Sequence, residues 1–166
     1  MRGYEQYIKD VKSGKIIAGS LIHLAIDRFE TLRSRPDIYF DAECVDLAIE
    51  FISNIRHFLG KSAGKRFILE PWQQFVIANI LGLKWKDTGY RVCTSCYVQI
   101  ARKAGKDALI AALSLYMLVV DGEASPEIAC LANSRDQARI LFDYITNFAK
   151  SIDPKGAAIK AYRNYV

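Results

Sequence analysis

Cysteine, histidine, proline and methionine are all scarce in this chain, and each scarcity excludes something. Four cysteines in 166 residues (Cys44, Cys93, Cys96 and Cys130) are too few and too scattered for a disulfide scaffold. Cys93-Thr94-Ser95-Cys96 is a lone Cys-x-x-Cys, and His23 and His57 supply no second ligand pair at finger spacing, which sets a structural zinc aside. That stretch has the composition of a strand, where residues three apart point to opposite faces, so two packed thiols are expected. Long apolar runs are missing as well. The longest, Ala108 to Val120, is interrupted by Ser114 and falls short of the ~20 residues that a bilayer crossing takes. Met1-Arg2-Gly3-Tyr4-Glu5-Gln6 lacks the apolar segment of a secretory signal. These absences lead to the expectation of a soluble, intracellular protein with no membrane partner. Neither an internal repeat nor a low-complexity linker interrupts the chain.

What is present is enough for a folded core. The chain is 51% hydrophobic and 25% charged, which excludes wholesale disorder, and its length suits one domain or one domain with an appendage. Lys and Arg number 23 against 18 Asp and Glu, a net +5, which suits a polyanionic partner without requiring one.

The first 60 residues read as helices. Tyr4 to Ser13 is a short one closed by Gly14. Leu21, Leu24, Ala25, Ile26, Phe29 and Leu32 recur at helical spacing, in a helix that should stop near Arg35-Pro36. Asp41 is a good N-cap for a third helix, with Val45, Ala48, Ile49, Ile52 and Leu59 on one face and Gly60 at its end. Pro71 opens a fourth, with Gly82 just past its end. The pattern then changes. Tyr90 to Ile100, rich in Val, Thr, Tyr and Cys, reads as a strand, and a turn over Ala101 to Gly105 leads into a helix from Lys106 to about Val120. Glu127 to Ala132 reads as a second strand buried on both faces. Ser134-Arg135-Asp136-Gln137 is a capping box for a helix that runs through Phe148 and is broken at Asp153-Pro154. The tail from Gly156 to Val166 reads as helical or frayed. Strand, helix, strand, helix is a parallel α/β unit. The expected fold is therefore α/β: a helical N-terminal region over 1–68, then the beginning of a parallel-sheet domain over 69–166.

The turn between the expected strand and its helix carries the chemistry. Ile100-Ala101-Arg102-Lys103-Ala104-Gly105-Lys106-Asp107 invites comparison with the phosphate-binding pattern Gly-x-x-x-x-Gly-Lys-Ser/Thr. In that pattern loop amides and a helix N-terminus cradle phosphates, a lysine neutralises the β/γ oxygens, and a hydroxyl ligates Mg²⁺. Gly105 and Lys106 are correctly placed, the first glycine is absent, and Asp107 stands where the hydroxyl belongs. On residue types alone, a phosphate loop and an ordinary basic turn both stay open.

Five stretches together are more specific. They are Asp10 to Gly19, Leu69-Glu70-Pro71-Trp72-Gln73-Gln74-Phe75, Ile100 to Lys106, Asp121-Gly122-Glu123, and Asn133-Ser134-Arg135-Asp136-Gln137-Ala138. From Asp10 to Asn147 the chain resembles the N-terminal ATPase part of the phage terminase large subunit, the motor that packages viral DNA. The resemblance implies an ATP- and Mg²⁺-binding P-loop in which Lys106 is the phosphate lysine and Arg102 a second phosphate contact, with Lys103, Ala104 and Gly105 completing the loop. It also implies that Trp72 or a neighbour packs on adenine and that Gln73 reads its edge, since an amide donates and accepts and an aromatic supplies a stacking plane. For Trp72, a place in the core of an amphipathic helix stays equally open.

Asp107 departs from the family pattern. A carboxylate there adds like-charge repulsion beside phosphates, although it can ligate Mg²⁺. The bland alternative is an acid that favours the first turn of a helix. Weak nucleotide binding and poor hydrolysis are expected. Asp121 and Glu123 follow Lys106 too closely to end a separate strand, so they read as helix-end and loop acids, and no later stretch supplies the hydrolytic acid pair. Nothing matches the family's ribonuclease-H-like nuclease either, so the chain reads as a truncated portion. Double-stranded DNA, the portal, the small terminase subunit and further copies of the chain are the partners implied, in the host cytoplasm. Lys84, Lys86, Arg91, Arg102, Lys103 and Lys106 cluster around the first expected strand and suit phosphates of ATP or DNA. The principal rival is a nucleotide-free module that binds DNA or other phage proteins. A small P-loop kinase fits poorly, because about a hundred residues precede the loop and the hydroxyl is missing.

Overall fold

Pairing of apolar positions at helical spacing dominates the architecture. The computed structural model describes residues 1–160, so the last part of the expected C-terminal tail lies outside the described residues. Six helices occur in it: α1 (Gly3–Lys12), α2 (Ser20–Ser34), α3 (Ala42–Asn54), α4 (Pro71–Ile77), α5 (Lys106–Val119) and α6 (Arg135–Ile152). Two three-residue strands, β1 (Ile38–Phe40) and β2 (Leu83–Trp85), pair antiparallel, with Ile38 opposite Trp85 and Phe40 opposite Leu83. Mixed helix with a small sheet is compatible with the α/β class. Among the described residues no helix is long and apolar enough to cross a membrane.

The chain divides into two compact units, Met1–Ile49 with Leu69–Val98, and Glu50–Ile68 with Gln99–Val166. In the first, α1 packs on α4 and α2 packs on β1. Aromatic rings tie these elements together: Tyr4 meets Phe40 at 5.8 Å, Phe40 meets Phe29 at 5.6 Å, Phe29 meets Phe75 at 5.5 Å, and Phe75 meets Tyr7 at 5.6 Å. Arg33 lies over the Phe40 ring, 4.5 Å from its centre. Asp41 caps α3 by accepting the Cys44 N–H at 2.9 Å, and its other carboxylate oxygen takes the Lys84 ammonium at 2.7 Å. A π turn over Ala78–Gly82 carries α4 into β2. Gly82 is the residue where that turn passes closest to the core, since a side chain there would run into Phe40 and Val45.

In the second unit α5 packs on α6. Ala108, Leu109, Ala111, Ala112, Leu115 and Tyr116 of α5 are buried, as are Ile145, Phe148 and Ala149 of α6. Ser134 caps α6 by accepting the Gln137 N–H at 3.3 Å, the N-cap half of the expected capping box.

Several expectations need correction. Tyr90 to Ile100 and Glu127 to Ala132 form no strand; the first makes only an isolated bridge, Lys84 opposite Arg91. Residues 127–132 are mostly exposed rather than buried, with Leu131 91% accessible. A strand exists only through a ladder partner: residues 90–92 meet β2 through the Trp85 N–H on the Tyr90 carbonyl and the Val92 N–H on the Leu83 carbonyl, each at 2.9 Å, and among the described residues the sheet takes in neither 93–100 nor 127–132. Leu21 and Leu24 face solvent, leaving Ile26 and Phe29 as the buried positions of α2. α3 stops at Asn54, short of Gly60, because the Ile55 N–H turns back to the Ile52 carbonyl at 3.0 Å; Leu59 is consequently exposed. The thiols are not a packed pair either: Cys93 is half-buried and Cys96 exposed.

Candidate nucleotide-binding site

The loop ahead of α5 owes its shape to two left-handed residues. Gly105, the N-cap, has φ 81° and ψ 17°, which glycine adopts freely. Lys103 has φ 64°, a conformation that a residue with a Cβ adopts only against a steric cost. Ala104 between them is not left-handed, so the sign of φ alternates over three residues. An anion-binding nest requires such an alternation. The Ala104 N–H returns to the Ala101 carbonyl at 3.3 Å, and the Leu109 N–H takes the Gly105 carbonyl at 3.0 Å. The N–H groups of the first turn of α5 have no carbonyl within the helix to receive them. α5 is 14 residues long, enough for its macrodipole to favour negative charge at this end.

Side chains add positive charge and one complication. Arg102, Lys103 and Lys106 are exposed at the loop. The Lys106 ammonium lies 3.2 Å from a carboxylate oxygen of Asp107, with both side chains about half accessible. Asp107 occupies the first turn of α5, where an acid is favoured whether or not it binds a ligand. Among the described residues no group of three or more His, Cys, Asp or Glu is placed to hold a metal. A magnesium ion at Asp107 would therefore complete its shell from phosphate oxygens and water, which is how this ion is commonly held.

Trp72 and Gln73 stand in the first turn of α4, in the other unit. Trp72 is half-buried, whereas Gln73 is 5% accessible, the one buried amide among the described residues. Its Oε1 accepts the Glu70 N–H at 2.8 Å, holding the chain at the entry to α4. That structural role went unread in the sequence, although Glu70-Pro71-Trp72-Gln73 has capping-box spacing. The cap commits one lone pair of the Gln73 carbonyl and leaves its amide nitrogen for another partner. The left-handed Lys103 was also missed, and no residue-type signal marks it, because lysine has no preference for that conformation.

Lys84 and Lys86, expected to join the phosphate-facing cations, are engaged elsewhere. Lys84 pairs with Asp41, and Lys86 donates to the Pro36 carbonyl at 2.7 Å. Asp121 and Glu123 follow the end of α5, where the Asp121 N–H bonds the Tyr116 carbonyl at 3.2 Å.

The family model for the terminase large subunit, ATPase domain, matches residues 71–163, more than half of the chain. The chain belongs to that family. The match takes in α4, the loop from Ala101 to Gly105, α5 and α6. The terminase-like ATPase portion is thus the part that carries both Trp72-Gln73 and Lys106-Asp107. No curated protein and no solved structure matched the chain.

Proposed function

We propose that the chain is an ATP-binding portion of a phage terminase large subunit, the motor that drives viral DNA into a procapsid. The loop supports this reading: alternating handedness at Lys103, Ala104 and Gly105 leads straight into the exposed N-terminus of α5, with Lys106 at its head. In the proposed site Lys106 and Arg102 neutralise phosphate oxygens, while Lys103, Ala104 and Gly105 shape the backbone cradle. Trp72 as a stacking plane and the Gln73 amide as a donor to an adenine edge are separate assignments within the same reading, made for the first unit by itself. Asp107 offers one oxygen to Mg²⁺, which when bound supplies charge neutralisation at the β/γ oxygens. The proposal covers binding, since the acids after α5 do not follow a strand.

The wider assignments belong to the same proposal. They are a helical region over 1–68, an ATPase region over 69–166, and a P-loop of Walker A type. The partners are double-stranded DNA, the portal, the small terminase subunit and other copies of the chain, in the host cytoplasm. A second reading, a nucleotide-free interaction module, is favoured by the Lys106–Asp107 pair, which occupies the phosphate lysine.

Calorimetric titration of Mg²⁺-ATPγS into the chain and into Lys106→Ala separates them. Binding by the parent and loss in the variant is the expected result. Absence of heat from both transfers the assignment to the interaction module.

A further inference from the structure

Between Glu50 and Glu70 the sequence contains no Asp or Glu, while Arg56, Lys61, Lys65 and Arg66 all fall inside that interval. The four cations are exposed. They sit on a hairpin of the second unit. Arg56 and Arg66 are directly opposite in an antiparallel bridge, flanked by the Phe67 N–H to the Ile55 carbonyl at 2.8 Å and the His57 N–H to the Lys65 carbonyl at 2.9 Å. The tip is a 3₁₀ turn over Gly60–Ser62, closed by the Gly64 N–H on the His57 carbonyl at 2.7 Å.

The base of the hairpin is anchored. Phe58 packs edge-on against Tyr144 at 5.0 Å and Phe148 at 5.9 Å, Phe67 meets Phe148 at 6.1 Å, and the Arg56 N–H donates to Ser151 Oγ at 3.2 Å. The cations are thus presented on a fixed ribbon rather than on a loose loop. Like charges directly opposite in a ribbon are destabilising. Arg56 cannot easily swing clear of Arg66, because its Nη1 donates to the Gly64 carbonyl at 2.7 Å. Among the described residues no carboxylate pairs with any of the four. The hairpin therefore holds a repulsion that a bound anion relieves.

Neighbouring chain extends the positive surface. Lys150, beside Ser151, joins Lys155 and Lys160 around a cavity of about 490 Å³. The acid of that cavity, Asp153, is engaged by the Ala158 and Ile159 N–H groups at 2.6 and 2.9 Å. Membrane binding scales with the apolar area inserted, and the tip offers only Leu59, 55% accessible, beside Gly60, Ser62, Ala63 and Gly64. Four exposed cations without a paired carboxylate match the repeated phosphates of a nucleic-acid backbone better than a single small anion does.

From this arrangement we infer that the hairpin spanning 55–67 is a phosphate-backbone contact for duplex nucleic acid. The choice of duplex as partner rests on the terminase reading proposed above, whereas the location rests on the hairpin's own cations and is distinct from the loop at Lys106. The test is fluorescence anisotropy of a short labelled duplex with the full chain, without nucleotide, over a salt series. Lys61→Ala with Lys65→Ala, both on the exposed tip, should weaken binding about tenfold at low salt and reduce the slope of log K against log salt by about two. Lys9→Ala with Lys15→Ala, which removes the same charge from the first unit, should change affinity by less than about twofold. Equal losses from the two pairs, or no loss from the hairpin pair, overturn the assignment. So does binding to phosphatidylglycerol vesicles with none to the duplex, which would make the hairpin a membrane contact.

Discussion

Lys106 and Asp107 are consecutive residues whose side chains meet at 3.2 Å at the head of α5. A phosphate arriving at Lys106 has to compete with that carboxylate and also meets its charge. Replacing Asp107 by Thr removes the competitor and restores a hydroxyl. Asp107→Thr should tighten Mg²⁺-ATPγS binding about five- to tenfold by calorimetry, the scale expected when a half-exposed ion pair and a like-charge contact are removed together. An unchanged or weaker affinity would show that Asp107 is not what limits the loop.

Gly82 has no side chain to spare for the turn into β2. An added Cβ would lie 2.9 Å from Val45 Cγ2 and would collide with the Phe40 ring. Both neighbours belong to packed elements, so neither can retreat without disturbing the core. Gly82→Ala should cost about 1–3 kcal/mol in urea unfolding, the usual range for overpacking.

Asp41 links α3 to β2 and gives an acid-dependent stability. Burial pushes its carboxyl upward, but the Lys84 ammonium and the Cys44 N–H outweigh that and hold it below the ordinary carboxylate range. A carboxyl lowered on folding contributes stability above its unfolded pKa and loses that contribution as pH falls through its folded pKa. Asp41→Asn keeps a capping side chain and removes the charge. Thermal melts should therefore place the variant below the parent at pH 7, with the gap closing as the pH falls below the carboxylate range.

Tyr4 is fully buried, and its hydroxyl has no hydrogen-bond partner among the described residues. A buried donor left unmade carries its whole desolvation penalty. Tyr4→Phe retains the ring against Phe40 and should raise stability by about 1 kcal/mol in the same urea experiment.

The sequence was most legible where chemistry is local. Asp41, Pro71, Gly105 and Ser134 mark helix starts through caps and fixed dihedrals, and α3, α4, α5 and α6 begin beside them. The strands were less legible for the opposite reason. Ile38–Phe40 and Leu83–Trp85 are three residues each, too short for alternation to register, and their pairing depends on residues more than forty positions apart. Tyr90 to Ile100 has the right residue types for a strand, but composition carries no information about a ladder partner. At the candidate site, the glycine and lysine of the loop were readable, whereas the handedness of Lys103 and the capping duty of Gln73 are set by backbone geometry around them.

The π turn between α4 and β2 makes this stretch sensitive to chain length in a way that side-chain identity does not capture. A π turn holds one residue more than an α turn. A one-residue deletion within Ala78–Gly82 that the turn does not take up by closing to an α turn would bring Leu83, Lys84 and Trp85 into the ribbon one position out of step. Because side chains alternate between faces, a one-residue slip turns Leu83 outward and brings Lys84 inward, away from Asp41. Point changes at exposed positions here can be absorbed singly, whereas such a deletion reverses a whole strand.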